Sequence, residues 1–259
     1  MARSNTVLIT GAGGNLGGKL RCHLEGRYLL RLLDIDPRGD PAVFQADLSA
    51  WDLTWVEELA GVDVVVHLAA DPAAHQKWPK LIGPNIDGTI HVFQAAVERG
   101  VKRLVYASSN HVMGGYKDDP QASRLTTTLP PRPGTRYVVD GEERDSTPYG
   151  CGKLFGERLC KCFSEAYDFS ALALRIGWVR PGDNRPEDVP PARGPWFRDM
   201  WLSNRDFCQL VERCILAGPE LRFAVLNGMS NNTGMRWDIE ETRRILGYEP
   251  QDDVTRVSP

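Results

Sequence analysis

The chain has 259 residues, 42% hydrophobic and 25% charged, with a net charge of −3. This is the composition of a soluble globular protein with room for one large α/β domain, and without a basic run it argues against nucleic acid or a membrane surface as partner. No stretch has the length of a membrane-spanning helix, and the opening MARSNTVLIT has too short an apolar core for a signal peptide, so a cytoplasmic location is expected.

TVLIT is a continuous apolar run, the pattern of a strand buried on both faces. GAGGNLGGKLRCHLEG then turns through glycines into a helix. YLLRLLDID, VDVVVHLAA and RLVYASSN read as the next three strands. Between the last two, Ile86, Ile90, Phe93 and Val97 recur at helical spacing, with Gly100 as a C-cap. This alternation predicts an α/β fold: a Rossmann-type doubly wound parallel sheet over one domain, residues 1–259. Residues 114–148 are polar and rich in turn formers, and predict a long loop of the kind that is functional or disordered. A helix is expected over 150–167, burying Leu154, Leu159, Cys162, Phe163 and Tyr167. ALALRIG is another strand, 179–200 a second loop, 204–216 a helix, FAVLNG a strand and 238–246 a helix. Residues from about 178 to 259 are expected to supply a small C-terminal cap over the substrate.

The six cysteines form no CxxC pair and do not cluster with the five histidines. They predict reduced thiols and no metal site.

In LITGAGGNLG, Gly11, Gly14 and Gly17 follow a strand and open a helix. Glycine allows a tight turn and a close approach of backbone to a pyrophosphate, and the helix N-terminus offers N–H groups and a positive dipole end. Asp34 ends the second strand, where a carboxylate accepts from both ribose hydroxyls and repels a 2′-phosphate. That favours NAD over NADP, although Arg38 stands nearby. A solvated strand-end aspartate is the plainer alternative.

Tyr149 and Lys153 stand four apart in YGCGK, and on a helix share a face. A free phenol has a pKa of about 10. A nearby ammonium and a cationic nicotinamide lower it, letting the phenol take a proton while hydride leaves the same carbon. Ser109 is placed to hold the reacting oxygen. Chance accounts for a lone YxxxK, and backbone capping for a lone strand-end serine. His67, in an apolar strand, reads as a core residue.

These segments, taken with SSNH at 108–111, resemble the extended short-chain dehydrogenase/reductase family, in particular its uronate, haloarchaeal glucose-6-phosphate and sulfoquinovose dehydrogenases. TGAGGNLG is similar to the family's TGxxGxxG turn; ASSNH, YGxxKxxGE, RIG and WLSxRD are features of the subgroup. The resemblance implies a cofactor site of Gly11, Gly14, Asn15, Leu16, Gly17, Asp34, Asp47, Leu48, Leu68, Ala69, Ala70, Tyr149, Lys153 and Ile176. It implies Tyr149, Lys153 and Ser109 as catalytic residues, with Ser109, Asn110, His111 and Tyr149 on the sugar; a structural, hydrogen-bonded His111 has equal weight. Where the uronate enzymes carry serines, this chain has Trp178 and Asp71–Pro72, and its 114–148 loop is longer than theirs.

Arg180, Arg185, Arg193 and Arg198 fall in one loop. One or two of them, from Arg180 and Arg185, are expected to bind an anionic group on the sugar, the alternative being solvated pairing with Asp183, Glu187 and Asp188. Trp201, Ser203 and Asp206 are expected to support the cap. The expected reaction is NAD-dependent oxidation of C1 of an aldohexose with an acidic group at C6. The expected assembly is a homodimer or higher homo-oligomer. A nucleotide-sugar epimerase/dehydratase and a non-catalytic dinucleotide sensor are the alternatives.

Overall fold

The computed structural model describes residues 5–139, 141–190 and 193–256. Residues 1–4 of the predicted lead, Asp140 in the long loop and residues 191–192 in the second loop lie outside the described residues.

Seven strands form one parallel sheet: β1 (Thr6–Thr10), β2 (Leu29–Asp34), β3 (Val43–Gln45), β4 (Val64–His67), β5 (Arg103–Ser109), β8 (Ser170–Ile176) and β9 (Phe223–Gly228). Between β5 and β8 lies a separate antiparallel hairpin, β6 (Arg136–Val139) with β7 (Glu142–Asp145). The sheet order is β3-β2-β1-β4-β5-β8-β9. The chain leaves β1 toward one edge and returns at β4 toward the other, so the switch point falls between the C-terminal ends of β1 and β4. Ligands bind at such crevices.

The strand residues alternate between two apolar layers. Val7, Ile9, Val66, Val105 and Leu174 face one cluster, which includes Leu20 and Leu24 of α1 (Asn15–Leu24) and Phe207, Leu210 and Val211 of a later helix. Leu8, Val65, Leu104 and Tyr106 face the other. That layer holds Trp55 and Val56 of α2 (Leu53–Glu57) and, beyond the four-residue α3 (Trp78–Leu81), Val92 and Phe93 of α4 (Gly88–Glu98). A π-helical turn, Ile82–Asp87, joins α3 to α4, so the predicted helix begins irregularly; Gly100 adopts the left-handed conformation just past its end (φ +74°).

The 114–148 segment is not structureless. A 3-10 helix spans Asn110–Tyr116, Leu125 bridges to Trp237, and the β6–β7 hairpin leads into α5 (Thr147–Ala166). This helix starts three residues before the predicted position. Of the apolar set expected from spacing, Leu154, Leu159 and Phe163 are partly buried against the apolar clusters, but they do not form the fully buried face. Cys162 and Tyr167 are exposed, and Gly152, Lys153, Gly156, Glu157, Cys160 and Ser164 are buried.

After β8 come α6 (Pro195–Asp199), α7 (Asn204–Leu216), β9 and α8 (Glu240–Leu246). α7 and β9 belong to the main layers, so much of 178–259 is sheet and cover rather than cap. A third cluster, with Val112, Met113, Trp196, Met200, Met229 and Trp237, knits the cap to the 3-10 segment. Ser203 caps α7 by accepting from the Asp206 N–H, Asp206 accepts from Ser230 Oγ at 2.6 Å, and the Trp201 indole donates to Asn184. These three brace the start of α7 and the segments packed on it.

Candidate active site

A cavity of about 680 Å³ opens at the switch point. Its wall includes every residue named above for the cofactor, together with Ser109, Asn110 and His111.

The glycine turn is shaped by what it must pass. Gly11 sits at φ +71°, where a Cβ would also lie 2.8 Å from the Ala69 nitrogen. A Cβ on Gly17 would lie 2.1 Å from the Gly11 carbonyl oxygen, so only glycine lets α1 start this close to β1. Gly14 is the helix N-cap, and the first turn, Asn15 to Gly17, presents N–H groups that no helical carbonyl takes. Asp34 is fixed by its neighbours: Oδ2 accepts from the Gly13 N–H at 2.8 Å and Oδ1 from the Asp36 N–H at 3.0 Å. Asp47 accepts from both the N–H and the hydroxyl of Ser49, and Leu48 beside it is buried. Leu68, Ala69 and Ala70 continue from β4 along the cavity floor, the Ala69 N–H held by Thr10 Oγ1 at 3.2 Å. The turn, the acid and the close backbone fit a dinucleotide: a cradle that a single Cβ would fill, with a carboxylate at the end of β2.

α5 brings the second half of the site. Pro148 lies in its first turn, and Asp145 accepts from the Thr147 N–H at 2.8 Å. Tyr149 and Lys153 both face the cavity, with the Lys153 ammonium 5.7 Å from the Tyr149 ring centroid. A Cβ on Gly150 would come within 2.6 Å of the His111 carbonyl oxygen, which explains a glycine after the tyrosine. Lys153 is buried and donates to the Ala107 carbonyl at 2.8 Å; desolvation lowers its pKa to about 8.

On balance, the chain's own groups do not lower the phenol's pKa. Burial raises the Tyr149 pKa to about 12; the hydrogen bond with Ser109 opposes this, and the Asp71 charge adds to it. Desolvation outweighs every stabilisation of phenolate that the protein itself supplies, because a buried anion loses more hydration than one hydroxyl returns. The expected lowering counted a cationic nicotinamide as well as the Lys153 ammonium.

Ser109 ends β5 and accepts from the His111 N–H at 3.2 Å. The buried Asn110 donates to the Ile176 carbonyl at 3.1 Å, tying the end of β5 to β8. His111 bonds Ser146 Oγ through Nδ1 at 3.0 Å and stands edge-on to Tyr149, centroids 5.4 Å apart. Burial lowers its pKa to about 4, so the ring is neutral at ordinary pH. His111 is thus hydrogen-bonded within the fold, as the structural reading has it, and the residue also lines the cavity. His67 is a core residue as expected, bonded to Thr10 through Nδ1.

The arginines are placed differently from one another. Arg185 does not line the cavity; it pairs with Asp183 at 2.9 Å and its side chain is 63% exposed, the bland alternative weighed above. Arg180 does not reach the wall either, but its guanidinium stacks on Trp178 at 5.4 Å, and Trp178 does line it. Arg180 Nη1 is buried without a hydrogen-bond partner. Its carbonyl accepts from Lys19, tying the loop to α1. Asp71 and Trp178 are among the wall residues to which the sequence assigned no role; the signal available was that each stands where the resembled enzymes carry a serine. Among the described residues no group of three His, Cys, Asp or Glu side chains is placed to hold a metal ion, and no helix is long and apolar enough to cross a membrane.

Residues 7–188 match the family described as the NAD dependent epimerase/dehydratase family. The chain is 36% identical to the NAD-dependent glucose-6-phosphate dehydrogenase of Haloferax volcanii, over 95% of this chain and 93% of that one. It is 33% identical to the L-arabinose 1-dehydrogenase (NAD(P)(+)) of the same organism, covering 97% and 98%. It superposes on a mutant uronate dehydrogenase from Agrobacterium tumefaciens complexed with NAD with a TM-score of 0.78, at 30% identity, covering 98% of this chain and 87% of that one.

Proposed function

The chain belongs to the NAD dependent epimerase/dehydratase family, and from that premise we propose that it is an NAD-dependent sugar dehydrogenase, oxidising C1 of an aldohexose with an acidic group at C6 to the aldonolactone. Glucose 6-phosphate, sulfoquinovose and hexuronates are the candidate substrates. The observation that carries the reading is the convergence of Tyr149, Lys153 and Ser109 on the cavity that the glycine turn opens.

NAD, when bound, supplies the hydride acceptor and a positive ring. Gly11, Gly14 and the first turn of α1 would hold its phosphates and Asp34 its adenosine ribose, with Asp47 and Leu48 available to the adenine. Ser109 holds the C1 hydroxyl toward the phenol, beside which it lines the cavity. Tyr149, as phenolate, takes the hydroxyl proton. Lys153 keeps positive charge near that phenolate. Asn110, pinned to Ile176, and the neutral His111 line the sugar's other side. Arg180 answers the C6 anion: a buried, unpartnered guanidinium nitrogen behind a wall tryptophan is a donor in need of an acceptor.

A second reading, a neutral aldose, is favoured by one observation: Asp71, an acid, stands on the wall, whereas neither Arg180 nor Arg185 does. The test is NADH formation with a panel of glucose 6-phosphate, sulfoquinovose, hexuronates, glucose and L-arabinose, each with NAD and NADP. The proposal predicts the highest kcat/KM for NAD with an acidic sugar. The highest value with a neutral sugar selects the second reading. Epimerisation of a UDP-sugar, with no NADH from any free sugar, contradicts both.

A further inference from the structure

α5, β5, β8 and the 3-10 segment each carry part of the candidate site, and a single buried cluster joins all four. Glu157 lies one helical turn after Lys153, on the same face. Arg175 grips its carboxylate with two parallel bonds, Nε to Oε1 at 2.8 Å and Nη2 to Oε2 at 2.9 Å. The two side chains are 3% and 2% exposed. Ser108 Oγ donates to Oε1 at 2.7 Å, and Arg175 Nη1 reaches Met113 Sδ at 3.2 Å. Ser108 and Arg175 are opposite one another in the β5–β8 register, so both point at α5.

The neighbours of these residues are the reacting groups. Ser108 precedes Ser109, and Arg175 precedes Ile176, whose carbonyl fixes Asn110. We propose that Glu157 and Arg175 are positioning residues: their forked ion pair sets the distance and register of α5 against β5 and β8, and so holds Tyr149 and Lys153 in line with Ser109. The proposal rests on the dehydrogenase reading of the site.

Two physical points support it. A buried ion pair rarely stabilises more than well-packed apolar side chains of the same volume, because desolvation consumes the Coulombic gain. Apolar contacts, however, tolerate sliding, whereas a planar fork on a carboxylate accepts one orientation. Displacing a reacting group by about 1 Å costs about 100-fold in rate. A cluster that is indifferent for stability and strict in geometry fits a wall that must not slip.

The test compares Glu157→Met/Arg175→Met, in which no charge is left unpaired, with Glu157→Gln, which keeps the shape. The double variant is expected to keep wild-type or higher Tm and to bind NAD, while kcat falls about 100-fold with little change in sugar KM. Glu157→Gln breaks one tooth of the fork and leaves the guanidinium charge unpaired, so it is expected to lose kcat as well. A double variant with wild-type kcat overturns the proposal. Should the double variant fail to fold, Ser108→Ala removes one strap without burying a charge: a fall in kcat at unchanged Tm supports the proposal, and unchanged kcat refutes it. A readout free of substrate is the Tyr149 phenol titration, followed by NMR of 13C-tyrosine-labelled protein with NAD and assigned through Tyr149→Phe. The titration is expected to move in the double variant, or in Ser108→Ala, and to remain in place if the cluster only packs. It therefore decides the proposal even if no sugar is oxidised, an outcome that would sink the dehydrogenase reading alone.

Discussion

Lys153→Met separates what the buried ammonium does for catalysis from what it costs the fold. Burial lowers the lysine pKa from 10.5 to about 8. Holding it charged at pH 7 therefore costs about 3 kcal/mol, at about 1.4 kcal/mol per pKa unit. Met has similar length and no charge, but it forfeits the bond to the Ala107 carbonyl, worth about 1 kcal/mol. The variant should be about 2 kcal/mol more stable than wild type at pH 7, raising Tm by about 4–8 °C for a chain of this size. The sign changes with pH. Between about pH 8 and 10.5 the unfolded wild type binds more protons than the folded one, so wild-type stability rises there and the variant's advantage disappears. Above that window the variant should be the less stable by the lost hydrogen bond. Urea unfolding at pH 7, 9 and 10.5 measures the difference, and turnover in the same samples should fall at least about 100-fold. A variant destabilised at pH 7, or one whose stability gap does not change across the window, refutes the reasoning.

Gly17→Ala would place a methyl 2.1 Å from the Gly11 carbonyl oxygen, pushing α1 off the turn. It should destabilise the fold by about 1–3 kcal/mol and weaken NAD binding, read by calorimetry. Arg180→Gln should raise the KM for an acidic sugar at least about tenfold with kcat little changed, and leave a neutral sugar unaffected. His67, whose pKa burial lowers from 6.5 to about 3, must be neutral in the fold, so stability is lost as pH falls below 6.5, by about 2 kcal/mol at pH 5. His67→Gln should abolish that share of the loss, measured by urea unfolding at pH 7.5 and 5.

The nucleotide half of the cavity was legible because its causes are local. A turn that needs glycine and an acid at a strand end are written in consecutive residues, and Gly11, Gly17 and Asp34 all stand on the wall. The face of α5 was not legible. Periodicity selects apolar residues, but this helix presents Lys153 and Glu157 inward, because the charged groups meet Ala107, Arg175 and Ser108 on strands far away in sequence. The order in 114–148 is hidden for the same reason: Leu125 finds Trp237, and the Gly134 N–H finds the His111 carbonyl. Of the two arginines, Arg185 is spent on Asp183, a neighbour two residues away, whereas the stacking of Arg180 on Trp178 depends on how the loop folds back. The phenol's pKa needed burial, which no sequence pattern states.

Tyr149→Phe tests the central claim most directly, since it removes one oxygen and keeps the ring. With the best sugar of the panel, the variant should bind NAD with an affinity close to that of wild type and lose at least about 1000-fold in kcat. A variant that still forms NADH at more than about a tenth of the wild-type rate, well above the loss expected of a missing general base, would contradict the account.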